Sequence, residues 1–127
     1  MADETYPDDL RYHPAHDWAR IDGEQAVFGV TWYAQDSLGD IVAFLPPAVG
    51  DIVTAGGVYG ELESVKAVSE IVSPLAGEVV EVNPLVVDGP EVVNEDPYGE
   101  GWLVKVNLSD PASASELLDA AAYRATL

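Results

Sequence analysis

A seven-residue pattern occurs twice in this chain, and it restricts the fold more than any other feature. Pro47-Ala48-Val49-Gly50-Asp51-Ile52-Val53 and Pro74-Leu75-Ala76-Gly77-Glu78-Val79-Val80 share the form Pro-x-x-Gly-acid-β-branched-Val, 27 residues apart. Each copy reads as a turn that feeds the chain into a strand. Two copies are too few for a solenoid. They suit two related half-sheets that face each other, each covering the other's apolar side.

Between the copies lies a hairpin signal. Val58, Gly60 and Leu62 alternate with Tyr59, Glu61 and Glu63, the period of a half-buried strand with the first set inward. Val68-Ser69-Glu70-Ile71-Val72-Ser73 is a second strand-like run that stops at Pro74. The turn joining them is Glu63-Ser64-Val65-Lys66-Ala67. It lacks the Asn-Gly or Asp-Gly pair of the tightest hairpins, and type I turns tolerate its residues. The chain has only two lysines, Lys66 and Lys105, against 23 acidic residues. A lone amine among small neighbours on a projecting turn is what covalent attachment of a carboxylic-acid cofactor requires, because an acylating enzyme must reach it from outside. A solvated surface lysine is the plain alternative. Lys105 alternates with Val104 and Val106 in a strand, so it should face solvent without projecting.

The rest of the chain divides as follows. Residues 10–21 give a first short strand around Trp18, and Asp22-Gly23 turns the chain into a strand over 25–30. Thr31 and Gly39 fit the N-cap and stop of a brief helix over 32–38. A strand covers 40–45. The stretch from Asn83 to Pro97 reads as a loop, and Leu85-Val86-Val87 is too short to imply a buried strand. The last strand covers 101–108. A C-terminal helix is expected over about 113–123, with Leu117, Leu118, Ala121 and Ala122 on one face.

Composition narrows the class. At 127 residues one domain over 1–127 is the default, with core strands over about 17–108. A hydrophobic content of 48% marks a globular chain. Zero cysteines exclude disulfides and thiolate chemistry, so any sulfur chemistry must come from a cofactor. No apolar run approaches a membrane span, and the start has neither a basic n-region nor transit-peptide character, which reads as a cytoplasmic protein or a mature form whose targeting segment is missing. A net charge of −18 repels nucleic acid and anionic membranes and suits partners with basic docking patches. The same acid-rich, lysine-poor balance would suit a salty cytoplasm.

Several stretches, in order and spacing, resemble the H protein of the glycine cleavage system. They are His16-Asp17-Trp18, Tyr33-Ala34-Gln35 with Leu38-Gly39-Asp40, Glu63-Ser64-Val65-Lys66-Ala67-Val68-Ser69, Gly77-Glu78-Val79-Val80-Glu81-Val82-Asn83 and Asn94-Glu95-Asp96-Pro97-Tyr98-Gly99-Glu100-Gly101-Trp102. The resemblance implies a mostly β fold, a barrel-sandwich hybrid of the lipoyl/biotinyl hammerhead type, with the short helix near 32–38 and a C-terminal helix. It implies lipoate joined as an amide to Lys66, with Glu63, Ser64, Val65 and Ala67 as recognition flanks. The carrier would be non-catalytic. It would shuttle an aminomethyl group and reducing equivalents among a pyridoxal-phosphate glycine decarboxylase, a tetrahydrofolate-dependent aminomethyltransferase and a dihydrolipoyl dehydrogenase, after loading by a lipoate-attaching enzyme. Asp17 and Glu70 correspond to the family's cleft acids, expected here as a solvated pair that meets the cationic amine. Trp32, Leu45 and Ala48 stand where the family usually has acids, and could form a contact patch or an altered core.

Other readings are an unmodified acidic adaptor of the same fold and a lipoyl domain of a 2-oxoacid complex, whose tip usually reads Asp-Lys-Ala. A biotin carrier would have methionines flanking the lysine, where this chain has Val65 and Ala67. His13, His16 and Asp17 do not have the spacing of a metal face or a hydrolase triad.

Overall fold

A computed structural model describes residues 3–127 and shows two antiparallel sheets that do not close into one barrel. The larger contains β1 (Arg11–His13), β2 (Asp17–Asp22), β3 (Gln25–Val30), β5 (Ile52–Val53), β8 (Gly77–Val82) and β9 (Val104–Leu108), in the order β1-β2-β3-β9-β8-β5. The smaller contains β4 (Ile41–Leu45), β6 (Val58–Ser64) and β7 (Val68–Val72), in the order β4-β6-β7. Four short α-helices complete the fold: α1 (Trp32–Leu38), α2 (Pro84–Asp88), α3 (Val92–Glu95) and α4 (Ala120–Arg124).

The local signals explain most boundaries. Gly23, at φ 63°, supplies the turn residue between β2 and β3. Thr31 caps α1 by accepting from the Ala34 N–H at 3.3 Å, and Gly39 ends it at φ 80°. The two Pro-x-x-Gly copies do deliver strands, but not to facing sheets. They pair side by side, with Ile52 opposite Glu78 and Val53 opposite Gly77. The β6–β7 hairpin between them folds across to form the second layer.

Four expectations are corrected. Residues 10–21 form two strands, because the chain reverses at 14–16 and His16 adopts φ 76°. The stretch read as a loop contains α2 and α3, whose Val86 and Val93 are core residues. Asn83 accepts from the Leu85 N–H at 3.1 Å with Pro84 next, a start signal present in the sequence. In β6 the register shifts between Val58 and Gly60, so Tyr59 turns inward and Val58 outward. At the C-terminus, Leu118 exchanges both backbone hydrogen bonds with Tyr12, at 2.8 and 2.9 Å. That pairing holds Leu117 and Leu118 extended, leaving a 3₁₀ segment over Pro111–Glu116 and a late helix, α4, capped by Asp119. Ala121 and Ala122 are exposed.

Two cores result. Phe28, Leu62, Ile71, Val79, Leu103 and Val104 fill the space between the sheets. An aromatic cluster of Tyr6, Tyr12, Trp18, Tyr98 and Tyr123 covers the outer side of β1 and β2. Tyr12 and Tyr123 stack at 4.8 Å, and the Trp18 indole donates to the Pro97 carbonyl at 3.1 Å. Each such side chain contributes about 1.5–3 kcal/mol through burial. Gly29 is required beneath Trp18, since a Cβ there would lie 2.5 Å from the indole ring. Trp32 packs partly buried against this cluster, whereas Leu45, 40% exposed, and Ala48 lie on the surface. The three substitutions therefore do not form one patch.

Candidate functional site: a lysine hairpin at the mouth of a groove

Lys66 lies at the tip of the β6–β7 hairpin and is exposed. Ser64 builds that tip. Its hydroxyl accepts from the N–H of Lys66 at 3.3 Å and of Ala67 at 3.1 Å, and donates to the Ala67 carbonyl at 3.2 Å. A serine closing a turn with its own side chain explains why no Gly is needed. The Val65 N–H donates to the Asp40 carbonyl at 3.2 Å, which ties the tip to the end of α1. The Lys66 side chain runs beside Gly39, with its Cε 3.8 Å from where a Cβ there would stand. Val65, 71% exposed, and half-buried Glu63 flank the amine. Lys105, by contrast, is half-exposed in mid-strand and pairs with Glu81 at 3.4 Å.

A groove of about 180 Å³ opens between α1 and β7. Val30, Leu62 and Ile71 give it an apolar floor, Tyr33 and Leu38 come from α1, and Ser69 and Glu70 come from β7. His16 and Asp17 complete one wall. The hairpin that carries Lys66 thus continues into a wall of this groove. Asn94 fixes the opposite wall. Its amide donates to Gln35 at 3.0 Å and to the Gly39 carbonyl at 2.9 Å, and its oxygen accepts from the Ile41 N–H at 2.9 Å.

The structure brings Asp17 and Glu70 to the same groove, as expected, but not as a solvated pair. Glu70 is exposed. Asp17 is 2% exposed, and its Oδ1 has no hydrogen-bond partner. Burial pushes its carboxyl well above the ordinary aspartate range, and an N–H from Val72 pulls the other way without reversing it. Asp17 occupies the first position of β2, where its partner is Val30, so the sheet itself draws it inward.

Sequence reasoning passed over several residues around this acid. Tyr123 is a hub: its hydroxyl lies 2.7 Å from His16 Nδ1 and 2.8 Å from the Thr31 hydroxyl, and burial pushes it up to about 12. The His16 ring packs on Tyr33 at 4.6 Å, and burial lowers its basicity. Tyr59 is buried with its hydroxyl also unpartnered. Only the tertiary fold brings these groups together. The His-acid-Trp order was the one local hint.

With this geometry in view, comparison with known proteins is decisive. The family model for the glycine cleavage H-protein matches residues 10–127. The chain belongs to the glycine cleavage H-protein family. A glycine cleavage system H protein of Myxococcus xanthus is 53% identical over 127 residues, covering 100% of this chain and 98% of the relative. One from Nostoc is 47% identical and covers 98% and 96%. The crystal structure of a glycine cleavage system H protein from Mycobacterium marinum matches with a TM-score of 0.86 at 39% identity, covering 94% of this chain and 96% of that one. The role of this member is that of the carrier in glycine cleavage, and neither the adaptor nor the 2-oxoacid alternative is favoured. No helix among the described residues is long and apolar enough to cross a membrane.

Proposed function

We propose that Lys66 is the attachment point of a lipoyl group and that the groove beside it is the resting place of the loaded arm. The supporting observation is the join between handle and groove: an exposed amine on a Ser64-built tip leans on Gly39, at the end of the helix that walls the groove. The residues fit the group. The tip leaves the amine open to acylation by a lipoate-attaching enzyme that reads Glu63, Ser64, Val65 and Ala67. Val30, Leu62 and Ile71 suit an alkyl chain, and the carboxyls of Asp17 and Glu70 suit an amine at its end. When bound, lipoate supplies a dithiol–disulfide couple and a sulfur that takes the aminomethyl cargo.

The chain's own part is to tether, shield and present. Tethering raises the local concentration of the arm at each partner. The groove walls exclude water from the cargo. The acid-rich exterior steers the carrier toward basic surfaces on the glycine decarboxylase, the aminomethyltransferase and the dihydrolipoyl dehydrogenase. It performs none of their chemistry. Replacing Lys66 with Arg tests this in a reconstituted system with the three enzymes and lipoate ligase. Glycine-dependent turnover is expected to vanish, because a guanidinium does not form the amide. Undiminished turnover with Lys66→Arg would overturn the reading.

A further inference from the structure

Asp17 is a buried acid without a counter-ion. Its Oδ1 has no partner, yet the side chain lines a groove open to a ligand. None of the five Lys and Arg residues lines that groove. Arg20 is bound to the Tyr98 carbonyl at 2.8 Å, Arg124 lies over Tyr6, and Lys105 pairs with Glu81. Lys66 lies outside on the tip and Arg11 on the exposed side of β1. The titratable groups that face Asp17 come from every surrounding element: His16 from the β1–β2 turn, Tyr33 from α1, Tyr59 from β6, Glu70 from β7 and Tyr123 from α4. Only His16 could become cationic. Its burial opposes that, and its Nδ1 is engaged by Tyr123. Glu70 is itself an acid, so it offers Asp17 no counter-ion.

Resting on the reading of this groove as the arm's dock, we propose that the empty groove keeps a proton on Asp17 and releases it when a primary ammonium group enters, so that cargo docking and proton release are one event. The balance is simple. The O–H bond of the Asp17 carboxyl breaks, its proton goes to solvent, and the carboxylate formed pairs with the ammonium. An ammonium has three N–H donors. Asp17, Glu70 and Ser69, three of the residues that line the groove, carry acceptor oxygens. Tyr59 acts as a positioning residue. Its buried hydroxyl has no partner, burial raises it, and an ionised Asp17 raises it further. It becomes a donor to the carboxylate once that forms. The arrangement makes the groove selective for cationic cargo, since a neutral occupant leaves the proton where it was.

Carboxyl-carbon NMR of the full unmodified chain tests this, with the Asp17 signal assigned from Asp17→Asn. The pH is titrated in sodium chloride and in methylammonium chloride at equal ionic strength. In sodium chloride Asp17 is expected to titrate clearly above ordinary aspartate. Methylammonium should lower that midpoint, as linkage demands of a ligand that prefers the ionised form. Tyr59→Phe should raise the midpoint and weaken methylammonium binding roughly tenfold. An Asp17 that ionises in the ordinary range in the empty groove, or a midpoint indifferent to methylammonium at high concentration, would overturn the proposal. Because the chain is unmodified, this failure is distinct from a failure of Lys66 to accept lipoate.

Discussion

The tip of the β6–β7 hairpin and the wall of the groove at Asp17 are parts of one device built on opposite principles. The tip is held mostly by residues within a few positions of each other, through the Ser64 side chain and the Ser64 N–H to Ala67 carbonyl bond, with one backbone bond to the more distant Asp40. It is exposed, and its reactive group is free. The groove wall is held by residues from β1 to α4 and contains a polar atom that the fold leaves unsatisfied. A handle that a ligase must grasp needs accessibility and little stability. A pocket that must recognise a charge needs a rigid, desolvated acid, at the cost of some folding energy.

If that contrast is right, changes at the groove wall cost more than changes at the tip. Tyr123→Phe should destabilise the protein by about 1–3 kcal/mol, because it strips a partner from both Thr31 and His16. Denaturant unfolding measures it, and a loss no larger than that of a tip variant would break the contrast.

Asp17→Asn should come next, with an effect that depends on pH. The folded state holds the Asp17 proton above the ordinary value of 3.8, so the unfolded state binds fewer protons there. Wild-type stability should therefore fall as pH rises from the ordinary aspartate range through the folded value, by up to about 1.4 kcal/mol per pH unit. The variant should lack that segment of the curve. Parallel curves for the two proteins would show that Asp17 is ionised in the fold.

Ser64→Ala should cost about 0.5–1 kcal/mol and slow modification of Lys66, since the tip loses its only side-chain closure. Rates of lipoylation by the ligase read this directly. Lys66→Arg should sit at the bottom of the series, within about 0.5 kcal/mol of wild type, although it removes all turnover. A stability loss above about 2 kcal/mol would make Lys66 a structural residue.

The same contrast explains what could be read from the sequence. The hairpin, its exposed lysine, the Asp22-Gly23 turn and the Thr31 and Gly39 ends of α1 depend on neighbours in the chain, and local patterns reveal them. Asp17 and Glu70 could be named through the family resemblance, but the burial of Asp17 follows from pairing with Val30 in β3 and the cover of α1 and β7. The alternation alone groups Tyr59 with the outward residues, and the register shift in β6 turns it inward. The apolar spacing starts the C-terminal helix too early, because Leu118 pairs with Tyr12, a contact between residues far apart in the chain. Asn83-Pro84 was a readable start signal for α2 that the surrounding prolines obscured.

The carrier role of this chain depends most on the acylation of Lys66, and peptide-mapped intact-protein mass spectrometry after expression in a lipoate-replete host tests it directly. The predicted result is one lipoyl increment, confined to the peptide containing Lys66 and missing from Lys66→Arg. An unmodified Lys66 under ample lipoate and ligase, or an increment that maps to Lys105, would contradict it.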